Sequence, residues 1–198
     1  MIRNIIFDMG EVLIRFDPDL WMTEQSADDR TLLYRAVYGS PDWLALDRGE
    51  ITEEELISRA EDRVPPRLRD EIPRLVRWYD PLIPVEGMEA LAAELRAAGY
   101  RIYLLSNTSK AFHRFRAHIP ALRHFDGEFI SADVGLLKPD ARIFEAFLAR
   151  FGLRADECLF IDDYPPNIQS AKNAGLGGIV FTGDAQALWN ELSAAGIL

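Results

Sequence analysis

Asp8 stands at the end of a short apolar run, residues 2–7, and is followed by Met9 and Gly10. A carboxylate at a strand end, with a glycine turn behind it, projects from the top of a sheet among main-chain amides. Such a carboxylate can attack phosphorus and form an acyl phosphate that water then opens. The same residue type also caps turns, so Asp8 alone does not choose between the two roles. Ser106 offers a hydroxyl, and the amides of Asn107 and Thr108 can hydrogen-bond phosphate oxygens; an ordinary helix N-cap would use the same residues. Lys138, next to Pro139, is a cation suited to neutralising both a carboxylate nucleophile and a transferring phosphoryl group, although most single lysines are solvated. Asp162 and Asp163 end a further apolar run. Beside Asp8 these acids would repel one another unless a cation lay between them. Mg²⁺ suits that place, because it takes oxygen ligands from one or two carboxylates, water and phosphate.

The elements that must carry these residues follow from periodicity. Apolar runs at 2–7, 101–105, 127–130, 158–161 and 178–181 each end in small or polar residues and predict strands. Helical patterns at 85–98, 141–151, 167–174 and 185–195 alternate with them, each closed by a glycine. Alternation of this kind predicts an α/β fold with a Rossmann-like parallel sheet, in which ligands sit at the carboxyl ends of the strands. The stretch from Pro18 to Pro84 is different: it is helical and punctuated by Ser40-Pro41, Arg48-Gly49, Pro65-Pro66 and Pro73. Thr52-Glu53-Glu54-Glu55 predicts a capping box there. The expected organisation is a core of residues 1–16 and 85–198 with a small α-helical cap, residues 17–84, inserted after the first strand.

Composition narrows the function. The chain has 198 residues, 48% hydrophobic and 27% charged, with a net charge of −10. That suits one domain with an insertion and a sizeable core. The negative balance disfavours nucleic acid as a partner and requires any anionic substrate to meet a local cation. A single cysteine, Cys158, forms no internal disulfide. The first apolar run is too short for a signal peptide, and no segment approaches a membrane span. The expectation is a cytoplasmic protein, monomer or small homo-oligomer, acting on a small phosphorylated metabolite without nucleic-acid or membrane partners.

Taken in order, Asp8-Met9-Gly10, Leu105-Ser106-Asn107, Lys138-Pro139 and Asp162-Asp163 resemble the four motifs of the haloacid dehalogenase-like hydrolases. The resemblance spans essentially the whole chain and is similar to the subfamily with a small helical cap. The wording of the motifs looks closest to bacterial α-D-glucose-1-phosphate phosphatases. It implies a Mg²⁺-dependent phosphatase, with a sugar phosphate as the expected substrate and an aspartyl-phosphate intermediate on Asp8. It further implies Asp8, the Gly10 carbonyl and Asp163 as metal ligands, with Asp162 as a nearby ligand or supporting acid. Ser106, Asn107 and Lys138 would hold phosphate, Lys138 also balancing charge.

One position departs from the pattern. Phosphatases of this family usually carry a second Asp two residues after the nucleophile as general acid and base; here Gly10 stands there. Losing such an acid costs roughly 10²–10⁴-fold, less with a good leaving group, and Glu11 and Asp17 are nearby substitutes. Asn167 stands where many relatives carry a further acid. Two alternatives remain open: a 2-haloacid dehalogenase using Asp8 on carbon without metal, and a non-catalytic phosphate-binding relative. In the cap, Trp21, Trp43, Asp47, Arg48 and Glu50 are candidate substrate contacts, though each also suits ordinary packing or a solvated turn. His113, His118 and His124 lack metal-ligand spacing.

Overall fold

The computed structural model describes residues 1–198. Strand β1 (Asn4–Phe7) is followed by four helices: α1 (Ala27–Ala36), α2 (Pro41–Asp47), α3 (Glu53–Glu61) and α4 (Ile72–Val76). Then come α5 (Met88–Ala97), β2 (Arg101–Ser106), α6 (Phe112–Phe115), β3 (Gly127–Ile130), α7 (Ser131–Val134) and α8 (Ala141–Phe151). The chain ends with β4 (Cys158–Asp162), α9 (Pro165–Asn173), β5 (Gly177–Val180) and α10 (Ala185–Ala194). The strands form one parallel sheet in the order β3-β2-β1-β4-β5, which is the expected α/β architecture.

Period-two alternation divides the strand side chains between two layers. Ile5, Phe7, Ile102, Leu104, Leu159 and Ile161 face one apolar cluster; Ile6, Tyr103, Leu105 and Phe160 face the other. Helices α5 and α10 cover the first face through Met88, Leu91, Leu188 and Leu192, and α8 and α9 cover the second through Ile143, Phe144, Phe147 and Ile168. Burial on both faces is why these strands read as nearly continuous apolar runs.

Boundaries shift slightly from the periodicity, for local reasons. The first strand starts at Asn4, whose amide donates to the Glu157 carbonyl at 3.2 Å. Helix α5 begins at Met88 rather than near residue 85, because Gly87 takes a left-handed φ of 84° and Val85 N is bonded to the Leu13 carbonyl. No helix starts directly after Ser106; the next begins at Phe112.

Between β1 and α5 the chain is helical, as expected, with added 3₁₀ turns at Pro18–Trp21 and Pro66–Glu71. The capping box is present: Thr52 Oγ1 accepts from Glu55 N, and the Glu55 carboxylate accepts from Thr52 N. Leu33, Leu46, Leu56, Leu75 and Val76 from this segment join the same apolar cluster as Phe7 and Leu104. The insert therefore packs continuously onto the sheet.

Phe144 is fully buried, and its ring centroid lies 5.5 Å from that of Phe160. Phe144→Ala is expected to lower stability by about 3–5 kcal/mol through the cavity it leaves, read as a shift in the denaturant midpoint.

Candidate active site

In the sheet order the chain runs outward from β1 to β2 and β3, then returns to the other side of β1 for β4. That reversal opens a crevice between β1 and β4 at their carboxyl ends. Phe7 is paired with Leu104 on one side and Ile161 on the other. Asp8 therefore emerges level with Asp162, and its N–H donates to the Ile161 carbonyl at 2.9 Å.

Lys138 fills the space between the two acids. It is 5% exposed; its Nζ donates to Asp162 Oδ2 at 2.6 Å and lies 2.8 Å from Asp8 Oδ1. The approach to Asp8 has the distance of an ion pair but lacks hydrogen-bond geometry, so Asp8 Oδ1 is buried without a hydrogen-bond partner. The Phe160 ring lies beneath the ammonium, with its centroid 5.1 Å away. Burial pulls the Lys138 ammonium down, but the two carboxylates outweigh it and hold the group above the ordinary lysine value. Burial raises the Asp8 carboxyl well above the usual range; Lys138 opposes this and the Asp162 charge adds to it.

Asn107 holds Lys138 in place. Its side-chain amide donates to the Lys138 carbonyl at 2.9 Å, and its Oδ1 accepts from Lys138 N at 2.8 Å. Asp162, fully buried, accepts from Lys138, from Tyr164 N at 2.8 Å and from Asn167 Nδ2. Asn167 thus steadies Asp162 by bonding to both of its oxygens.

Asp8, Asp162 and Asp163 each bring a carboxylate oxygen within 4.8 Å of the others. The hard oxygen donors of this trio, with Asp163 exposed, fit a cation of the Mg²⁺ type. Asp162 fits less directly, because its lone pairs are already used.

A cavity of about 100 Å³ adjoins Asp8; Lys138, Asp162 and Asp163 do not line it. Its floor is Asp8, Met9, Gly10 and Ser106 to Ser109, and its roof is Phe16, Trp43, Leu46, Asp47, Val76 and Trp78. Ser106, 1% exposed, lines it with a hydroxyl that makes no hydrogen bond to protein. The Thr108 amide, expected to serve a phosphate, donates instead to Ser131 Oγ at 2.9 Å. Ser131 in turn donates to the Asp47 carbonyl at 2.6 Å, strapping the end of α2 to the core. Gly49 completes the strap. It has a φ of 70°, and a Cβ there would lie 2.3 Å from the Ala132 carbonyl oxygen.

Among the cap candidates, Trp43 and Asp47 border the cavity, while Trp21, Arg48 and Glu50 do not. Trp21 packs instead against Phe16 and Trp78. Of the two nearby substitutes for an acid at Gly10, Glu11 accepts from Phe16 N and pairs with Arg15, and Asp17 accepts from Asp19 N; neither borders the cavity. His113 faces Asp133 at the surface. The sequence does not mark Phe16 or Ser131 as site residues, and it marks Trp78 only as packing the last helix of the insert onto the core. Ser131 follows a predicted strand end, but nothing in its sequence distinguishes it from an ordinary turn residue.

A family profile described as haloacid dehalogenase-like hydrolase matches residues 2–175. The sesquiterpene phosphatase astK of Aspergillus oryzae is 29% identical over 191 residues, covering 96% of this chain and 94% of that protein. A haloacid dehalogenase family enzyme of Bacteroides thetaiotaomicron, solved with magnesium and inorganic phosphate, shares the fold with a TM-score of 0.73 at 22% identity, covering 96% of this chain and 100% of that one. The L-2-haloacid dehalogenase of Xanthobacter autotrophicus also shares it, with a TM-score of 0.65 at 17% identity, covering 100% of this chain and 85% of that one.

Replacing Lys138 by Met would leave Asp8 and Asp162 facing each other without a cation. Removing one partner of a buried ion pair costs about 3–5 kcal/mol. Lys138→Met is expected to be destabilised by that order, read from its unfolding midpoint in the absence of metal.

Proposed function

Because the chain belongs to the haloacid dehalogenase-like hydrolases, we propose that it is a Mg²⁺-dependent phosphatase that transfers the phosphoryl group of a small metabolite to Asp8 and then to water. The observation that carries this reading is the Asp8 carboxylate itself. It is buried at the cavity floor, charge-balanced by Lys138, grouped with two further acids, and left with one oxygen free of hydrogen bonds.

Asp8, the Gly10 carbonyl and Asp163 would hold the ion, with Asp162 behind them orienting Lys138. When bound, Mg²⁺ would neutralise phosphoryl oxygens and position the phosphorus for displacement. The cavity's own charged lining, Asp8 and Asp47, is negative, so an anionic substrate depends on that ion and on Lys138. An Asp8 oxygen attacks phosphorus while Lys138 offsets the charge that gathers on the transferring group. The Ser106 hydroxyl and the Asn107 N–H, which makes no hydrogen bond within the protein, hold phosphoryl oxygens. Water then opens the aspartyl phosphate.

Residues 17–84 act as a cap that closes over the reacting group and excludes bulk water. A cavity of about 100 Å³ is smaller than a typical ligand cleft, so it suits the phosphate and the nearest atoms of its leaving group. The roof of Phe16, Trp43 and Trp78 offers aromatic faces that suit the C–H face of a sugar ring or an apolar chain. A sugar phosphate remains the substrate class implied by the motifs, and the A. oryzae relative is named for a sesquiterpene, whose apolar chain would also suit this roof.

A metal-free dehalogenase reading gains from Gly10, which leaves the usual phosphatase acid missing. It is opposed by the carboxylate trio, which makes sense around a cation. The test is turnover of p-nitrophenyl phosphate, sugar phosphates and prenyl phosphates with Mg²⁺ and with EDTA, beside halide release from a 2-chloroacid. The expected result is phosphate release that EDTA removes and that Asp8→Asn lowers by about 10⁴-fold or more. Wild-type activity in Asp8→Asn would sink the reading, as would halide release insensitive to EDTA.

A further inference from the structure

Resting on the phosphatase reading, we propose that Asp47, supplied by the cap, is the general acid and base of the reaction in place of the acid missing at Gly10. Asp8 and Asp47 are the charged side chains that border the cavity. Asp47 is 8% exposed, and its carboxylate makes no hydrogen bond and no ion pair, although its backbone carbonyl is held by Ser131 at 2.6 Å. A buried carboxyl without partners is costly unless a ligand uses it. Burial pushes it up to about 7, with the nearby Asp8 charge adding and Lys138 opposing. Such a group is partly protonated near neutrality and suited to giving and taking a proton.

The other acids in reach are committed elsewhere. Glu11 and Asp17 do not border the cavity and accept from the Phe16 and Asp19 N–H groups, and Asp162 is saturated by Lys138, Tyr164 and Asn167. The end of α2 is also held tightly, by the Ser131 bond and by the close approach of Gly49 to the Ala132 carbonyl. A proton donor needs a fixed position at the wall of the cavity that holds the nucleophile.

The protons balance across the cycle. As the bond from Asp8 to phosphorus forms and the bond to the leaving oxygen breaks, the Asp47 carboxylic acid gives its proton to that oxygen, and a neutral alcohol departs. Asp47, now a carboxylate, takes a proton from the water that attacks the aspartyl phosphate. The Asp8–phosphorus bond breaks, inorganic phosphate leaves, and Asp47 is again protonated.

The experiment compares leaving groups in Asp47→Asn, a change that keeps side-chain size. An alkyl phosphate that the unsubstituted enzyme turns over needs the proton; p-nitrophenolate leaves without it. The expected loss is about 10²–10⁴-fold in kcat/KM for the alkyl phosphate. The rate of the nitrophenolate burst should fall far less, while steady-state release after the burst slows, because the second step has lost its base. A rescue is available at Gly10, where an added Cβ meets its nearest neighbour, Phe16 Cβ, at 3.9 Å. Gly10→Asp placed in the Asp47→Asn background should recover alkyl phosphate turnover at least tenfold.

Equal losses on both substrates, with no rescue and an unchanged unfolding midpoint, would make Asp47 a binding residue and overturn the proposal. An unaffected Asp47→Asn would overturn it as well. A burst that survives in Asp47→Asn but vanishes in Asp8→Asn keeps the phosphatase reading standing apart from the role of Asp47. No turnover of any phosphate by the unsubstituted enzyme would overturn both.

Discussion

Most of the active end of this molecule depends on one buried cation. Lys138 lies between Asp8 and Asp162, with a side chain 1% exposed and nitrogen–oxygen distances of 2.8 and 2.6 Å. Taking such charges out of water costs several kcal/mol per ion and is recovered only when geometry is close and the remaining polar atoms are satisfied. The structure meets that condition around the lysine. Asn107 pins its backbone from both sides, Asn167 and the Tyr164 amide saturate Asp162, and Phe160 lies under the ammonium. Asp8 Oδ1 and Asn167 Oδ1 are the buried oxygens of this network left without a hydrogen bond, and the first of them lies on the group proposed to do the chemistry.

The same economy extends to the insert. Its helices do not form a separate apolar core; Leu46, Leu56 and Val76 belong to the cluster that also holds Phe7 and Leu104. Ser131 bridges the Thr108 amide and the Asp47 carbonyl, so one hydroxyl ties the loop after β2 to the end of α2. Gly49 allows the approach that makes this bond possible, because any side chain there would meet the Ala132 carbonyl. The contact between Ser131 and the Asp47 carbonyl thus fixes the end of α2 against the core.

Sequence periodicity was a good guide to the elements because both faces of the sheet are buried. The central strands β1, β2 and β4 then need nearly continuous apolar runs, which end where the polar residues begin. The errors were confined to ends, where a backbone detail decides. Gly87 delays α5, and Asn4 opens β1 with a side-chain bond that no apolar count registers. The four motif segments were legible for a related reason: parallel strands bring their carboxyl ends to one edge, so order along the chain translates directly into proximity.

By itself, then, the sequence determined the parallel α/β core, the helical character of the insert, and the meeting of Asp8, Ser106, Lys138 and Asp162-Asp163 at one edge. It also exposed the missing acid at Gly10 and left its replacement undetermined. Only the tertiary structure decided that Asn107 spends its side chain on Lys138, that Asp162 is saturated, and that Asp47 borders the same cavity as Asp8 while Arg48 and Glu50 do not. The physical reason is separation along the chain. Strand ends are placed by the sheet, whose register follows from local apolar pattern. A cap residue reaches the site through long-range packing and through single contacts such as Ser131 to Asp47, 84 positions apart, which no periodicity encodes.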